Sequence, residues 1–173
     1  MRIVVFTSNA IRHKFVANNL IKNADDGLII SECKSNDAKE IKNNKPNYKI
    51  KHFKKRYQVE KNFFDDDNDY FKGKVLPILH KEVNLPYIYE TVKKFKPDMA
   101  FVFGAYIIKE PLLSLMSEGK FINLHLGISP YYRGSGTNFW PFVNEELEYV
   151  GATLLHIDSG IDTGDIIAHV RPN

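Results

Sequence analysis

Apolar and polar positions along the chain switch repeatedly between strand-like and helix-like spacing. Arg2–Thr7 is a short β-rich apolar run, and from about Ala10 to Ile21 a helical pattern follows, with Ile11, Phe15, Leu20 and Ala24 recurring at helical intervals. Gly27–Cys33 reads as a second strand. Strand, helix, strand in about thirty residues is a βαβ unit, which lays its strands parallel and covers the sheet with helix. Val75–Leu79 fits a short strand, and Pro86 opens a helix running to about Phe95. Asp98–Gly104 has the continuous apolar character of a buried central strand. Glu110–Met116 reads as helix and Lys120–Leu124 as strand. A Gly-, Pro-, Ser- and Tyr-rich segment then runs from His125 to Thr137. A helix is expected from Asn138, and strands at Gly151–Ile157 and Ile166–Val170. No internal repeat or linker breaks the alternation, which predicts one α/β layered domain over residues 1–173.

The pattern is weakest between Asp37 and Lys74. There Ile50, Phe53 and Tyr57 suit a basic amphipathic helix that leads into Asp65-Asp66-Asp67-Asn68-Asp69. That order lacks the central Gly and closing Glu of an EF-hand, so it reads as a solvated loop. Net charge is +3, and the excess is local. Ten Lys/Arg stand against three acids from Lys34 to Lys61, and three Lys against six acids from Asn62 to Glu90. The basic stretch is read as a solvated helix face rather than a nucleic-acid surface. With 43 % apolar and 26 % charged residues, the composition is that of a soluble globular chain. No apolar run approaches the roughly 18–20 residues of a membrane span. The N-terminus lacks the features of a secretory signal. Cys33 stands alone, which excludes a disulfide framework or a cysteine metal cluster. These observations lead us to expect a cytoplasmic protein with no membrane partner.

Three places carry candidate chemistry. The first strand-to-helix turn, Thr7-Ser8-Asn9-Ala10, contains no glycine, which removes the dinucleotide fingerprint and the Gly-rich phosphate loop. The helix start can still bind an anion, with Asn9, Arg12 and His13 assisting; equally, Ser8 or Asn9 serves as a helix cap. In Asn123-Leu124-His125, strand alternation puts the amide and the imidazole on one face. They fall where the strand gives way to the Gly/Pro-rich loop. Such a pair can stabilise a developing oxyanion and move a proton, and it also fits a hydrogen-bonded structural pair. The third place is Gly160-Ile161-Asp162-Thr163-Gly164-Asp165, a tight loop whose carboxylate either orients the histidine or satisfies its own turn.

Taken in order, Asn123-x-His125, the loop with Pro130 and Tyr132-Arg133-Gly134, then Gly151-Ala152-Thr153 and Gly160–Asp165 resemble the folate-dependent formyltransferases. Members of that family act on glycinamide ribonucleotide, methionyl-tRNA or sugar amines, and the resemblance covers about Asp98 to Val170. It implies a Rossmann-like open, mostly parallel sheet with helices on both faces. It also implies formyl transfer from 10-formyltetrahydrofolate to a primary amine, with no metal. By position, Asn123 and His125 would hydrogen-bond the developing oxyanion while Asp162 holds His125. Backbone groups near Tyr106, Ile107 and Lys109 would meet the pterin, as would the loop from Asp158 through Gly160 to Asp162. The acceptor would be bound by Ser8, Asn9, Arg12, His13, Tyr132 and Arg133. Aromatic residues at Tyr131-Tyr132 and Asn138–Phe142 favour a nucleotide-linked amino sugar as acceptor. The alternatives are methionyl-tRNA, glycinamide ribonucleotide, or a non-catalytic folate- or nucleotide-binding role. A nucleic-acid partner is not expected, and a homodimer is compatible with the resemblance. Departures from the family pattern are Leu155, where many members carry His, and Gly127-Ile128-Ser129-Pro130 in place of Ser-Leu-Leu-Pro. His156 is expected to face away from the position of Leu155. Family chains usually continue past the equivalent of Pro172, so the chain is expected to be a catalytic core truncated at its C-terminus.

Overall fold

Ile3, Val4, Val5 and Phe6 are each at most 1 % exposed. Four consecutive apolar residues are buried together when a strand is flanked by strands on both edges and covered on both faces. They lie in β1 (Arg2–Ser8), at the centre of the sheet in a computed structural model that describes residues 1–33, 47–64, 68–116 and 119–172. The other strands are β2 (Asp26–Cys33), β3 (Lys74–Leu79), β4 (Met99–Phe103), β5 (Phe121–Leu126), β6 (Ala152–His156) and β7 (Ile166–Val170). They form one seven-stranded sheet in the order β3-β2-β1-β4-β5-β6-β7. β3 through β5 pair in parallel, and β6 and β7 add antiparallel. The sheet is open, mostly parallel and Rossmann-like, as expected.

Helices cover both faces. On one, α1 (Ile11–Lys22) sets Ala17, Leu20 and Ile21 against Ile3, Val5 and Ile29. α2 (Asn47–Phe64) lies outside α1, with the Phe64 ring 4.9 Å from that of Phe15. On the other face, α3 (Pro86–Phe95) buries Ile88 and Val92 against Val4, Phe6, Ala100 and Val102. Pro86 stands in its first turn, where a missing N–H costs nothing, and α3 spans the expected residues. From β1 the chain moves outward to β2 and β3, then returns to β4 on the other side. The order therefore reverses between β1 and β4, and a crevice opens at their carboxyl ends.

Several elements differ from the sequence pattern. Glu110–Met116 contracts to one 3-10 turn, Leu113–Leu115. The helix expected from Asn138 is only α4 (Trp140–Val143). Phe139, Trp140 and Phe142 are all at least half exposed, so no packed apolar face extends that helix. β5 runs on to Leu126 because β6 pairs with it there, His125 opposite Thr153 and Leu126 opposite Ala152. Much of the basic stretch and Asp65–Asp67 lie outside the described residues. Asn68, expected to be solvated, is buried. Asn18 of α1 donates to the Asn68 side-chain oxygen (3.1 Å) and the Tyr70 carbonyl (2.9 Å), and accepts from the Lys72 N–H (2.8 Å). A buried amide with these three partners ties the loop down in place of apolar packing. Among the described residues, no helix is long and apolar enough to cross a membrane.

Candidate active site

β5 carries Asn123 and His125 on one face, and their register partners on β6 are Leu155 and Thr153. Asp162 reaches them from the loop after β6. Its φ of +52° is left-handed, a conformation that a short polar side chain tolerates better than most. Asp162 Oδ1 accepts a hydrogen bond from Asn123 Nδ2 at 2.8 Å. Its Oδ2 lies 3.3 Å from His125 Nδ1 and accepts from the Gly134 N–H at 3.2 Å. One carboxylate therefore gathers donors from β5 and from the loop that follows it. The loop bearing Asp162 is shaped by Asp158, whose carboxylate accepts from the Gly160 N–H (2.9 Å) and the Thr163 hydroxyl (2.7 Å).

The other ring nitrogen, His125 Nε2, lies 2.9 Å from the Tyr132 carbonyl oxygen. A carbonyl only accepts, so Nε2 carries a proton and donates it. Both nitrogens of His125 thus face oxygen, and its side chain is 6 % exposed. Asn123 uses one of its two amide hydrogens on Asp162.

These groups open on a cleft of about 510 Å³ at the carboxyl ends of β4 and β5, walled by Val102, Tyr106, Ile108 and Leu155. Arg12 and His13 of α1 also line it. Gly104, at φ +76°, lets the His13 ring lie close: a Cβ there would fall 2.3 Å from His13 Cε1. The ring also meets Phe103 edge-on, with centroids 4.7 Å apart.

The expected acceptor residues separate into two groups. Arg12 and His13 line the cleft, whereas Ser8, Asn9, Tyr132 and Arg133 do not. Ser8 is 1 % exposed and its hydroxyl pairs with His13 Nδ1 at 2.5 Å, so it is a support for His13. Neither Ser8 nor Asn9 caps α1, whose N-cap is Ala10 without a side-chain bond. The Asn9 N–H instead donates to the Glu32 carbonyl. Arg12 is ion-paired with Glu60 of α2, which also faces Arg56. The Tyr132 ring points away from the cleft: its hydroxyl donates to Glu146 and accepts from Asn144 Nδ2 (2.8 Å). Hydrogen bonding to the Glu146 carboxylate holds the phenol above its ordinary value.

Of the expected folate positions, Tyr106, Ile107, Asp158 and Gly160 line the cleft and Lys109 does not. The Lys109 N–H donates to Asn84 Oδ1 (2.7 Å), and Asn84 Nδ2 donates to the Ile107 carbonyl (2.8 Å). Residues 105–109 have no strand partner, so one side-chain amide supplies what a ladder would. Asn84, Glu60, the Gly134 N–H and the Tyr132 carbonyl were not singled out by sequence. Of these, Gly134 and Tyr132 left a trace there, as members of Tyr132-Arg133-Gly134, though Tyr132 was expected to act through its side chain and not its carbonyl.

A family model described as Formyl transferase matches residues 1–173. Methionyl-tRNA formyltransferase of Desulforamulus reducens is 36 % identical over 95 residues, covering 53 % of this chain and 29 % of that protein. The corresponding protein of Clostridioides difficile is 36 % identical over 86 residues, covering 49 % and 27 %. The matched segment is thus under a third of either relative's length. Among solved structures, phosphoribosylglycinamide formyltransferase from Anaplasma phagocytophilum superposes with a TM-score of 0.63 at 15 % identity, covering 98 % of this chain and 70 % of that one. A sugar N-formyltransferase from Shewanella sp. gives a TM-score of 0.57 at 17 % identity, covering 100 % and 58 %. At these identities the structures share the fold.

Proposed function

Because the chain belongs to the formyl transferase family, we propose that it moves the formyl group of 10-formyltetrahydrofolate onto a primary amine, with Asn123, His125 and Asp162 as the acting residues. The observation that carries this reading is the single carboxylate of Asp162 holding both Asn123 and His125 at the mouth of the cleft. The cleft suits a flat heterocycle with a formyl-bearing arm: its volume is in the range of small-ligand sites, and its walls are apolar beside the polar Asp158–Asp162 loop. When bound, the folate would supply the formyl carbon.

Asn123 would direct its second amide hydrogen at the formyl oxygen as negative charge develops there. A well-placed donor of this kind contributes roughly 3–4 kcal/mol to the transition state. His125 would be the second donor once Nε2 turns from the Tyr132 carbonyl. Asp162 would orient the ring and accept the proton that the attacking amine sheds, directly or through water; the bond between folate N10 and the formyl carbon would then break, N10 taking up a proton in place of the one lost by the amine, so that tetrahydrofolate leaves. Each role needs the proton arrangement already present among these three side chains.

The acceptor we favour is a nucleotide-linked amino sugar. Tyr131, Phe139, Trp140 and Phe142 are 50–64 % exposed, and although the Tyr131 ring packs on Tyr149 at 4.5 Å they offer aromatic surface suited to a sugar or base. Trp140 adjoins the cleft through Gly136, where a Cβ would lie 3.3 Å from Trp140 Nε1. The identity with methionyl-tRNA formyltransferases supports a second reading, a methionyl group carried on tRNA. The test incubates the protein and its His125→Ala variant with 10-formyltetrahydrofolate and, separately, a pool of nucleotide-linked amino sugars or methionyl-tRNA. Mass spectrometry then seeks the added formyl group. A formylated sugar absent with His125→Ala is expected; formylated methionyl-tRNA selects the second acceptor. Failure to bind the folate at all overturns the reaction.

A further inference from the structure

Tyr132 meets His125 through its backbone, and its side chain is held somewhere else entirely. The loop from Ile128 to Thr137 is pinned at both ends. Ile128 is fully buried, and the Thr137 hydroxyl donates to the Leu126 carbonyl. Between those pins, residues 133–136 are exposed, and Gly134 and Gly136 take positive φ. The middle of the loop is held by the Gly134 N–H on Asp162 Oδ2 (3.2 Å) and by Tyr132, whose N–H donates to the Ile128 carbonyl (3.0 Å) and whose hydroxyl meets Glu146 and Asn144. Glu146 is turned back toward it after α4. Glu145 adopts φ +59°, and the Glu146 N–H donates to the Pro141 carbonyl at 2.8 Å.

We propose that Glu146 is a positioning residue for His125: by holding the Tyr132 hydroxyl it keeps the Tyr132 carbonyl on Nε2, and so fixes the proton and the orientation of the imidazole. The inference rests on the proposed role of His125 in formyl transfer. With Asp162 as sole partner, a neutral ring would place its one proton on Nδ1, facing the carboxylate, and leave Nε2 bare. A bare Nε2 is an acceptor and has nothing to donate to a formyl oxygen. The Tyr132 carbonyl supplies what Asp162 alone does not, because it is satisfied only by an Nε2–H, so that the ring donates from both nitrogens. A loop whose central residues are exposed and glycine-rich does not hold a carbonyl on one atom by itself. The charge-assisted bond to Glu146 does so, and the upward shift of the phenol keeps the hydroxyl a donor.

The test reads the ring itself. In 15N-histidine-labelled protein, His125 ring signals are assigned by their loss in His125→Ala, and exchange of the Nε2 proton with water is measured at 25 °C. The native protein is expected to show a protected Nε2 proton. Glu146→Ala and Tyr132→Phe should each speed exchange about tenfold or more, the loss expected of one hydrogen bond to a charged group. Glu146→Gln, whose amide oxygen still accepts, should retain most of the protection. A structural role alone would lower the melting temperature of Glu146→Ala and leave the ring signals unchanged; that result overturns the proposal. Should Glu146→Ala fail to fold, Tyr132→Phe decides, since it keeps the ring that packs 5.9 Å from Tyr149. The readout needs neither folate nor acceptor, so its failure is distinct from failure of the formyl-transfer reading.

Discussion

Asp162 combines a left-handed backbone with a carboxylate that holds three donors, and two substitutions pull those properties apart. Asp162→Asn keeps a side chain suited to positive φ but removes the charge, and one amide cannot accept from Asn123, His125 and Gly134 together. We expect its turnover to fall on the order of 10²-fold or more, the scale of losing a preorganised electrostatic contact, with a small change in melting temperature. Asp162→Ala should be less stable than Asp162→Asn by about 1 kcal/mol, since alanine meets the full left-handed penalty. Denaturant titration of the pair checks this; equal stabilities would show that the backbone conformation is not what Asp supplies. Gly104 presents the same contrast by packing. A methyl group there meets the His13 ring at 2.3 Å in a backbone region that side chains avoid. Gly104→Ala is therefore expected to cost more than 1 kcal/mol and to disturb His13, visible as a shifted His13 ring resonance.

Elements were legible where a periodic pattern and tertiary packing agreed. β1, β2, β4 and α3 appear in sequence as apolar runs or a helical stripe with a proline start, and the core uses those same residues. The sequence was silent where polar side chains replace packing: Asn18 holding the 68–72 loop, Asn84 holding residues 105–109, Glu60 holding Arg12. A single amide or carboxylate has no periodicity, so only the fold reveals its partner. Asn123, His125 and Asp162, the trio proposed to act, were singled out by motif order, but the hub that joins them, one carboxylate shared by Asn123, His125 and the Gly134 N–H, depends on a loop turn that spacing does not encode. At the sheet's edge, β2 and β3 are latched by Lys74 Nζ on Asp26 Oδ1 at 2.7 Å. That bond holds the Asp26 carboxyl below its ordinary 3.8. A lowered value stabilises the fold above pH 3.8 and loses its effect as pH falls through the folded value. Asp26→Asn should thus melt slightly lower than the native protein near neutrality. The two melting curves should converge under strongly acidic conditions, and a gap that persists at acid pH would assign the effect to something other than this ion pair.

Across the whole molecule, the reversal of strand order between β1 and β4 sets the cleft over the most buried part of the sheet. The cleft touches α1 through Arg12 and His13, β4 through Val102 and Phe103, and β5 and β6 through Asn123 and Leu155. Those elements do not open without breaking the cores on both faces. A ligand seated there binds the native state and has no counterpart site in the unfolded chain, so its binding free energy adds directly to global stability. At a concentration 100 times its dissociation constant, tetrahydrofolate should stabilise the protein by about 2.7 kcal/mol. For a chain of this length that corresponds to a rise in melting temperature of roughly 5–10 °C. The rise should grow with the logarithm of ligand concentration and be nearly retained in His125→Ala, whose ring is assigned here to the reacting oxygen rather than to folate binding. Replacing Leu155, buried in the cleft wall, with a lysine should reduce it sharply. A melting temperature indifferent to tetrahydrofolate up to millimolar concentration would remove the cleft as the folate site, whereas a rise untouched by Leu155→Lys would move that site to another surface of the protein.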